Sequence, residues 1–408
     1  MDTQVRPLNL VELERPALEA ALEARGHRRF HARQIFGWIY RLGVSDVAQM
    51  TDLSRDLRAM LADEFVVTTP ALIDREQSID GTEKFLLRFA DGRTVESVYI
   101  PDTPSNTFCV STQVGCAMAC AFCLTGRMGL VRNLTAGEIV GQVRVLADAL
   151  QMRGVIDPGG FAPADPPRLR SRGPGAPLCS GPHARLPRVG PGSGGRACGA
   201  PRFNSFNIVL MGMGEPLHNY DATMKALRIL ADEYGFNLSP RRITLSTVGL
   251  LPALEKLAHE PIMPNLAISL HAPTDAQRGE LVPLNRKYGV GEIIAACKRF
   301  PLRRRHRITF EYVLLSGVND RPEDARRLAK LLAGVKSKVN LIPLNAAPGI
   351  PFERPSDETV DRFARILADH DLLVSVRKSR GRDILAACGQ LIVDSDRKSP
   401  AQQLALTM

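Results

Sequence analysis

Three of the chain's eight cysteines fall within eight residues, as Cys116-Ala-Met-Ala-Cys120-Ala-Phe-Cys123. A disulfide framework does not distribute cysteines this way in a chain of 408 residues, so the crowding calls for a metal or redox explanation. Three thiolates can hold three irons of a 4Fe–4S cubane and leave the fourth iron an open position. The aromatic Phe122 before the last cysteine suits a shielded cluster. Zinc is the competing metal, but it ordinarily takes a fourth protein ligand at matching spacing, and none follows. Three inert buried cysteines gathered by accident are the blandest reading.

The Cys116, Cys120, Cys123 spacing resembles the cluster signature of the radical S-adenosylmethionine (SAM) superfamily. Residues suited to SAM follow it. In Met211-Gly-Met-Gly214-Glu215-Pro216 the glycines let backbone approach a ligand, and the carboxylate can accept from an ammonium group. Alone this is an ordinary glycine turn; at a strand end after a cluster motif it reads as the site of the SAM amino group. Ser246, then Ser269, Leu270 and His271, and finally Asn345 lie at the ends of later strand-like runs, suited to ribose, carboxylate and adenine contacts. Each is individually a common loop residue, so their weight is collective.

These residues need a scaffold, and the chain supplies a repeating one. From residue 107 the pattern is strand, loop, helix, with strand-like runs TFCVST, FNIVLM, RITLST, NLAISL, ITFEYVLL and KVNLIPL. Helical stretches are expected over 134–150, 221–233, 252–259, 291–299, 322–333 and 357–369, with Thr135 to Glu138 as a capping box. Strands alternating with helices imply parallel βα units, and six are too few for a closed eight-fold barrel. The expected fold is α/β: a partial (β/α)6 radical SAM barrel with a small N-terminal helical domain and a β-hairpin extension. Ligand chemistry then belongs at the C-terminal strand ends. The first 75 residues read as helices over 10–25, 32–42 and 57–65, and 84–100 as a hairpin turning at Asp91-Gly92. The expected division is 1–75 helical and RNA-binding, 76–106 the hairpin extension, 107–391 the core, and 392–408 a tail.

One segment departs from this order. Residues 154–202 hold 11 Gly and 10 Pro with no Lys or Glu, a composition that cannot bury enough apolar surface to offset chain entropy. Residues 151–205 are therefore expected to be a disordered insertion in the core, either unselected, read in the wrong frame, or serving as an RNA tether.

The stretches TFCVSTQVGCAMACAFC, MGMGEPLHNYD, ITLSTVGL, AISLHAPTDAQRGELVPLNRKY, LIPLNAAPG and RGRDILAACGQL resemble the RlmN family of dual-specificity RNA methyltransferases, of which Cfr is a close relative. The resemblance runs from about residue 30 to about 391, apart from the insertion. It implies methylation of adenine C2 in 23S rRNA and tRNA, with a 4Fe–4S cluster and two SAM molecules per turnover. It also answers a chemical difficulty, since C2 is an electron-poor amidine carbon that cannot attack a SAM methyl group directly. By resemblance, Cys388 first receives the methyl group and then bonds RNA through it. Glu96 is the proton acceptor, and Cys109 the thiol that resolves the adduct. From the residues alone, Cys109 and Cys388 could be inert buried cysteines and Glu96 a solvated hairpin carboxylate. Cfr-like methylation at C8, a protein-directed radical SAM activase and a non-catalytic iron–sulfur RNA-binding protein are the rival readings. The last two have no use for the set Glu96, Cys109 and Cys388.

Charge adds modestly to this. The formal net charge is +10, which suits a polyanionic partner. More than half of it comes from residues 151–206, where eight arginines face two aspartates. No run approaches the roughly 20 apolar residues of a membrane span, and the first residues lack a secretory pattern. A cytoplasmic monomer is expected, served by a reductant such as flavodoxin or ferredoxin.

Overall fold

A computed structural model describes residues 7–101, 105–152, 206–303 and 306–393. The Gly/Pro/Arg-rich segment, apart from Gln151 and Met152, lies outside the described residues, as does most of the C-terminal tail.

The N-terminal unit packs short helices between two small strands, β1 (Leu8–Asn9) and β2 (Phe65–Val66), which pair in parallel. Its helices are α1 (Arg15–Glu23), α2 (His31–Phe36) and α3 (Arg55–Glu64). The helix expected over 10–25 begins late, because Pro16 sits in its first turn, where a missing N–H costs nothing. Leu10–Glu12 before it forms a separate 3-10 turn. The stretch expected as one helix over 32–42 continues past α2 as a wider π turn, Gly37–Arg41. Salt bridges of Arg15 with Asp232 at 2.8 Å and Arg228 with Glu14 at 2.9 Å fasten this unit to the core.

The strands that follow are β3 (Ala71–Gln77), β4 (Glu83–Arg88), β5 (Thr94–Ile100) and β6 (Thr107–Cys109), each antiparallel to the one before it. The expected hairpin is thus β4–β5, turning where Gly92 has φ +82°, and β3 extends it by a strand. Next come β7 (Gln113–Cys116), α4 (Leu124–Arg127), β8 (Gly129–Asn133) and α5 (Ala136–Ala149), whose Thr135–Glu138 capping box is present.

The core continues as β9 (Asn207–Leu210), α6 (Tyr220–Ala231), β10 (Ile243–Thr247), α7 (Leu251–Leu257), β11 (Asn265–Ser269), α8 (Asp275–Leu281) and α9 (Val290–Arg299). It closes with β12 (Ile308–Leu314), α10 (Pro322–Leu332), β13 (Ser337–Pro343), α11 (Asp357–Ala368) and β14 (Leu373–Val376).

One ten-stranded sheet has the order β14-β13-β12-β11-β10-β9-β6-β5-β4-β3. Strands β6 and β9 to β14 are parallel, so β14 adds a seventh strand to the six expected. The sheet is open, with β14 and β3 as its edges. Parallel strands covered on both faces bury nearly continuous apolar runs, as Leu266, Ala267 and Ile268 do in β11. The parallel order sets the C-terminal ends of successive strands side by side, along one rim of the sheet.

Candidate active site

Each cluster cysteine is placed by a local backbone constraint. Cys116 ends β7, which pairs with β8 across Gly115, where φ is +75° and a Cβ would run into the Gly129 carbonyl. Ala119 takes a positive φ of 51°, and the Cys123 amide donates to the Cys120 carbonyl at 3.1 Å, closing the loop before α4. Gly126 lies so close that a Cβ would come within 2.9 Å of the Cys120 nitrogen. Burial pushes the Cys116 thiol up to about 12 and raises Cys120 and Cys123 as well. The sulfurs also raise one another: Cys123 acts on Cys116, and both act on Cys120. The three therefore share one buried environment, as mutual ligands must.

The loop is seated on the rim of the sheet. Cys116, Met118, Cys120 and Phe122 form a second apolar cluster with Val248, Ala272, Val313 and Leu344, from the ends of β10 to β13. The Phe122 ring meets His271 edge-on, with centroids 4.7 Å apart. The Ala121 amide donates to the Leu281 carbonyl at 2.9 Å.

The residues expected to bind SAM lie around this loop. Glu215 accepts from the Leu217 amide at 3.0 Å and the Val248 amide at 2.9 Å, while burial pushes its carboxyl up to about 7. Gly214 has φ +101° and packs so tightly on Gln113 that a Cβ would fall 2.6 Å from Cβ of that residue. The Ser246 and Ser269 hydroxyls face each other at 3.3 Å from adjacent strands. Leu270 and His271 donate their amides to the Glu311 carbonyl at 3.1 and 3.3 Å. His271 accepts from the Val313 amide through Nδ1 at 3.1 Å, and burial, helped by Arg278, pushes it down to about 3, so the ring is neutral. The Asn345 amide nitrogen donates to the Cys388 carbonyl at 3.2 Å.

Cys109 and Cys388, remote in sequence, line one small cavity with Met211, Asn345 and Arg377. Its volume of about 20 Å³ holds little more than one water. Cys109 is fully enclosed, and burial first, then charge on Cys388, pushes its thiol up to about 12. Cys388 is half-buried. The loop that carries it is pinned on several sides. The Leu124 amide donates to the Gly389 carbonyl at 2.8 Å, the Gln390 amide group to the Ala346 carbonyl at 2.8 Å, and the Thr125 hydroxyl to the Leu391 carbonyl at 2.6 Å.

Glu96 does not line the cysteine cavity. Its side chain faces an adjoining polar cavity of about 270 Å³, bounded by Asp74, Glu76, Lys84 and Asp383. It accepts from the Ile392 amide at 2.7 Å and pairs with Lys84 at 3.2 Å. Burial raises its carboxyl, and Lys84 and the Ile392 amide oppose that rise. The register nevertheless keeps it beside Cys109. Cys109 opposes Val98, and Glu96, two residues back along β5, shares that face.

Comparison with known proteins identifies the family. Residues 8–67 match the family model described as Ribosomal RNA large subunit methyltransferase N-terminal domain, and 199–329 match Radical SAM superfamily. A Cereibacter sphaeroides protein described as dual-specificity RNA methyltransferase RlmN is 44% identical over 98% of this chain and 94% of its own. The Paracoccus denitrificans protein of the same description is 45% identical, over 97% and 92%. This chain belongs to the RlmN family. A crystal structure of a radical SAM methyltransferase from Sphaerobacter thermophilus superposes with TM-score 0.78 at 44% identity, covering 94% of this chain and 99% of that one.

Membership of the RlmN family within the radical SAM superfamily implies a 4Fe–4S cluster and SAM, and the residues fit both. The cysteine loop offers three sulfur donors and no fourth. A cubane takes one thiolate at each of three corners, which is what Cys116, Cys120 and Cys123 offer. Asn345 Oδ1 is buried and accepts no hydrogen bond from the protein, leaving an acceptor for a ligand's donor.

Two arginines that the sequence did not single out lie among these side chains. Arg278 is fully buried and donates to the carbonyls of Leu270 at 3.0 Å and Val248 at 2.6 Å and to Asn285 Oδ1 at 3.1 Å, tying β10, β11 and α8 together. Arg377 follows β14, its amide donating to the Leu341 carbonyl at 2.8 Å. Its charged form is favoured by Cys388 first, and also by Glu311 and Cys109, against the pull of burial. The basic run after β14 was the available signal, but solvated basic loops look the same.

Proposed function

We propose that this chain methylates C2 of adenine in 23S rRNA and in tRNA, through a methylated Cys388 and a covalent RNA adduct. The observation that carries the reading is the meeting of Cys109 and Cys388 in one cavity beside the cluster loop. An ordinary methyltransferase has no need of two such thiols. A cluster held by Cys116, Cys120 and Cys123 would supply the one-electron chemistry, with two SAM molecules per turnover as the source of the methyl group and of the radical, and a flavodoxin or ferredoxin as the source of electrons.

The protein's own residues divide the remaining work. Cys388 is the accessible thiol with the Arg377 cation on its cavity wall, so its sulfur is the one that takes the methyl group. Cys109, enclosed and held protonated, does not compete for it. Once the methyl carbon is bonded to adenine C2, Glu96 receives the C2 proton. Cys109, giving up its proton, then attacks the Cys388 sulfur. The sulfur–carbon bond breaks with its electron pair to the carbon, which takes a proton and becomes the methyl group on C2, and the two sulfurs are left as a disulfide that an external reductant must reopen. The match of residues 8–67 to a ribosomal RNA methyltransferase domain supports the RNA substrate. The target base must leave its stack to reach a rim site.

Anaerobic reconstitution with iron, sulfide and a reductant, followed by mass spectrometry of nucleosides from treated 23S rRNA and tRNA, tests the reading. It should give 2-methyladenosine from both RNAs. 8-Methyladenosine would place the chain with Cfr instead, and unmodified RNA in the presence of SAM cleavage would refute the RNA substrate.

A further inference from the structure

The polar cavity beside Glu96 contains more ionisable groups than a proton acceptor alone requires, and the strand register explains their arrangement. Glu76 on β3 lies directly opposite Lys84 on β4, Lys84 opposite Val98 on β5, and Val98 opposite Cys109 on β6. Glu96, two residues from Val98, shares their face. Lys84 Nζ lies 3.2 Å from Glu96 Oε1 and 3.4 Å from Glu76 Oε1. Side-chain exposure grows along the row, from 7% at Glu96 to 11% at Lys84 and 46% at Glu76.

A lysine this enclosed, held between two carboxylates, has a function beyond surface solubility. We propose that Lys84 is a positioning residue for the methyl-transfer reaction, holding the Glu96 carboxylate ionised and fixed on the sheet face it shares with Cys109, with Glu76 sharing its charge. This rests on the assignment of Glu96 as proton acceptor. The other groups facing Glu96 are the Ile392 amide, which donates to its second oxygen, and the carboxylates of Asp74 and Asp383 across the cavity. Among the described residues that line this cavity Lys84 is the one cation, so the carboxylate depends on it. The Glu76 charge works against Glu96 ionisation.

The sign of each effect follows. Glu96 accepts a proton only when ionised, so adduct resolution fails as pH falls through its titration. Removing the Lys84 cation must move that midpoint upward, by roughly one to three pH units for a close opposite charge. Removing the Glu76 charge must move it downward, by less, because Glu76 is exposed and more distant.

The test follows the denaturation-resistant protein–RNA adduct against pH in single turnovers of the reconstituted enzyme. The variants are Lys84→Met, Lys84→Arg, Glu76→Gln and Glu96→Gln. Lys84→Met should hold the adduct at neutral pH and release it at higher pH, and Lys84→Arg should restore a near-normal profile. Glu76→Gln, a half-exposed change that leaves the fold intact, should shift the midpoint to lower pH even if Lys84→Met does not fold. A wild-type midpoint in Glu76→Gln, or in a folded Lys84→Met, overturns the proposal while Glu96→Gln still stalls. Normal adduct release by Glu96→Gln would instead remove Glu96 from the mechanism.

Discussion

Glu215 accepts two backbone hydrogen bonds, yet burial keeps its carboxyl near 7, where neither protonation state dominates. An ammonium group needs the ionised form. SAM affinity of the cluster-loaded protein should therefore fall as pH drops below about 7, approaching tenfold per unit, and stay level above it. Equilibrium binding between about pH 6 and 8 checks this, and Glu215→Gln should bind weakly with a flat profile. A wild-type affinity independent of pH would mean that Glu215 does not meet the amino group. At this scale the cysteine triplet was legible, because three thiols at that spacing have few uses. Arg377 and Lys84 were not, since a single basic residue in a loop or strand reads as solvated until its neighbours are known.

The rim of the sheet is held at the scale of elements by groups that belong to none of the chemistry. Arg278, on α8, satisfies carbonyls at the ends of β10 and β11, where strands stop and backbone acceptors lose their partners. Arg278→Met would leave those carbonyls buried and unpaired, costing roughly 3 kcal/mol. Denaturant unfolding should show that loss, together with weakened SAM binding; an unchanged midpoint would contradict the role. The alternation of buried strands and amphipathic helices was readable because strands covered on both faces are apolar runs. Six strands of the structure, β1, β2, β3, β7, β8 and β14, have no counterpart in the sequence pattern, and for three of them the physical reason is plain. β3 is an edge strand exposed along its whole length, β14 is a four-residue edge, and β8 is largely exposed in a two-stranded ribbon. None carries a strong apolar period. The helix expected over 10–25 starts late at its proline, while 32–42 is helical as expected but widens into a π turn.

The open sheet accounts at the scale of the whole molecule for what neither residues nor elements could show. Its order places β6, which carries Cys109, between the antiparallel hairpins and the parallel units, and the loop after β14 returns Cys388 to that seam. Among the described residues no helix is long and apolar enough to cross a membrane. Read from the residues alone the two cysteines sit in separate motifs, paired only by the family resemblance; the sheet order brings them together as partners in one cavity. The central claim is that partnership, and the reconstituted Cys109→Ala enzyme tests it most directly. Mixed with RNA and SAM under reducing anaerobic conditions, then denatured and run on a gel, it should migrate as a nuclease-sensitive protein–RNA adduct. Peptide mass spectrometry should locate the bond at Cys388. Normal turnover by Cys109→Ala, or an adduct joined through any other residue, would contradict the account.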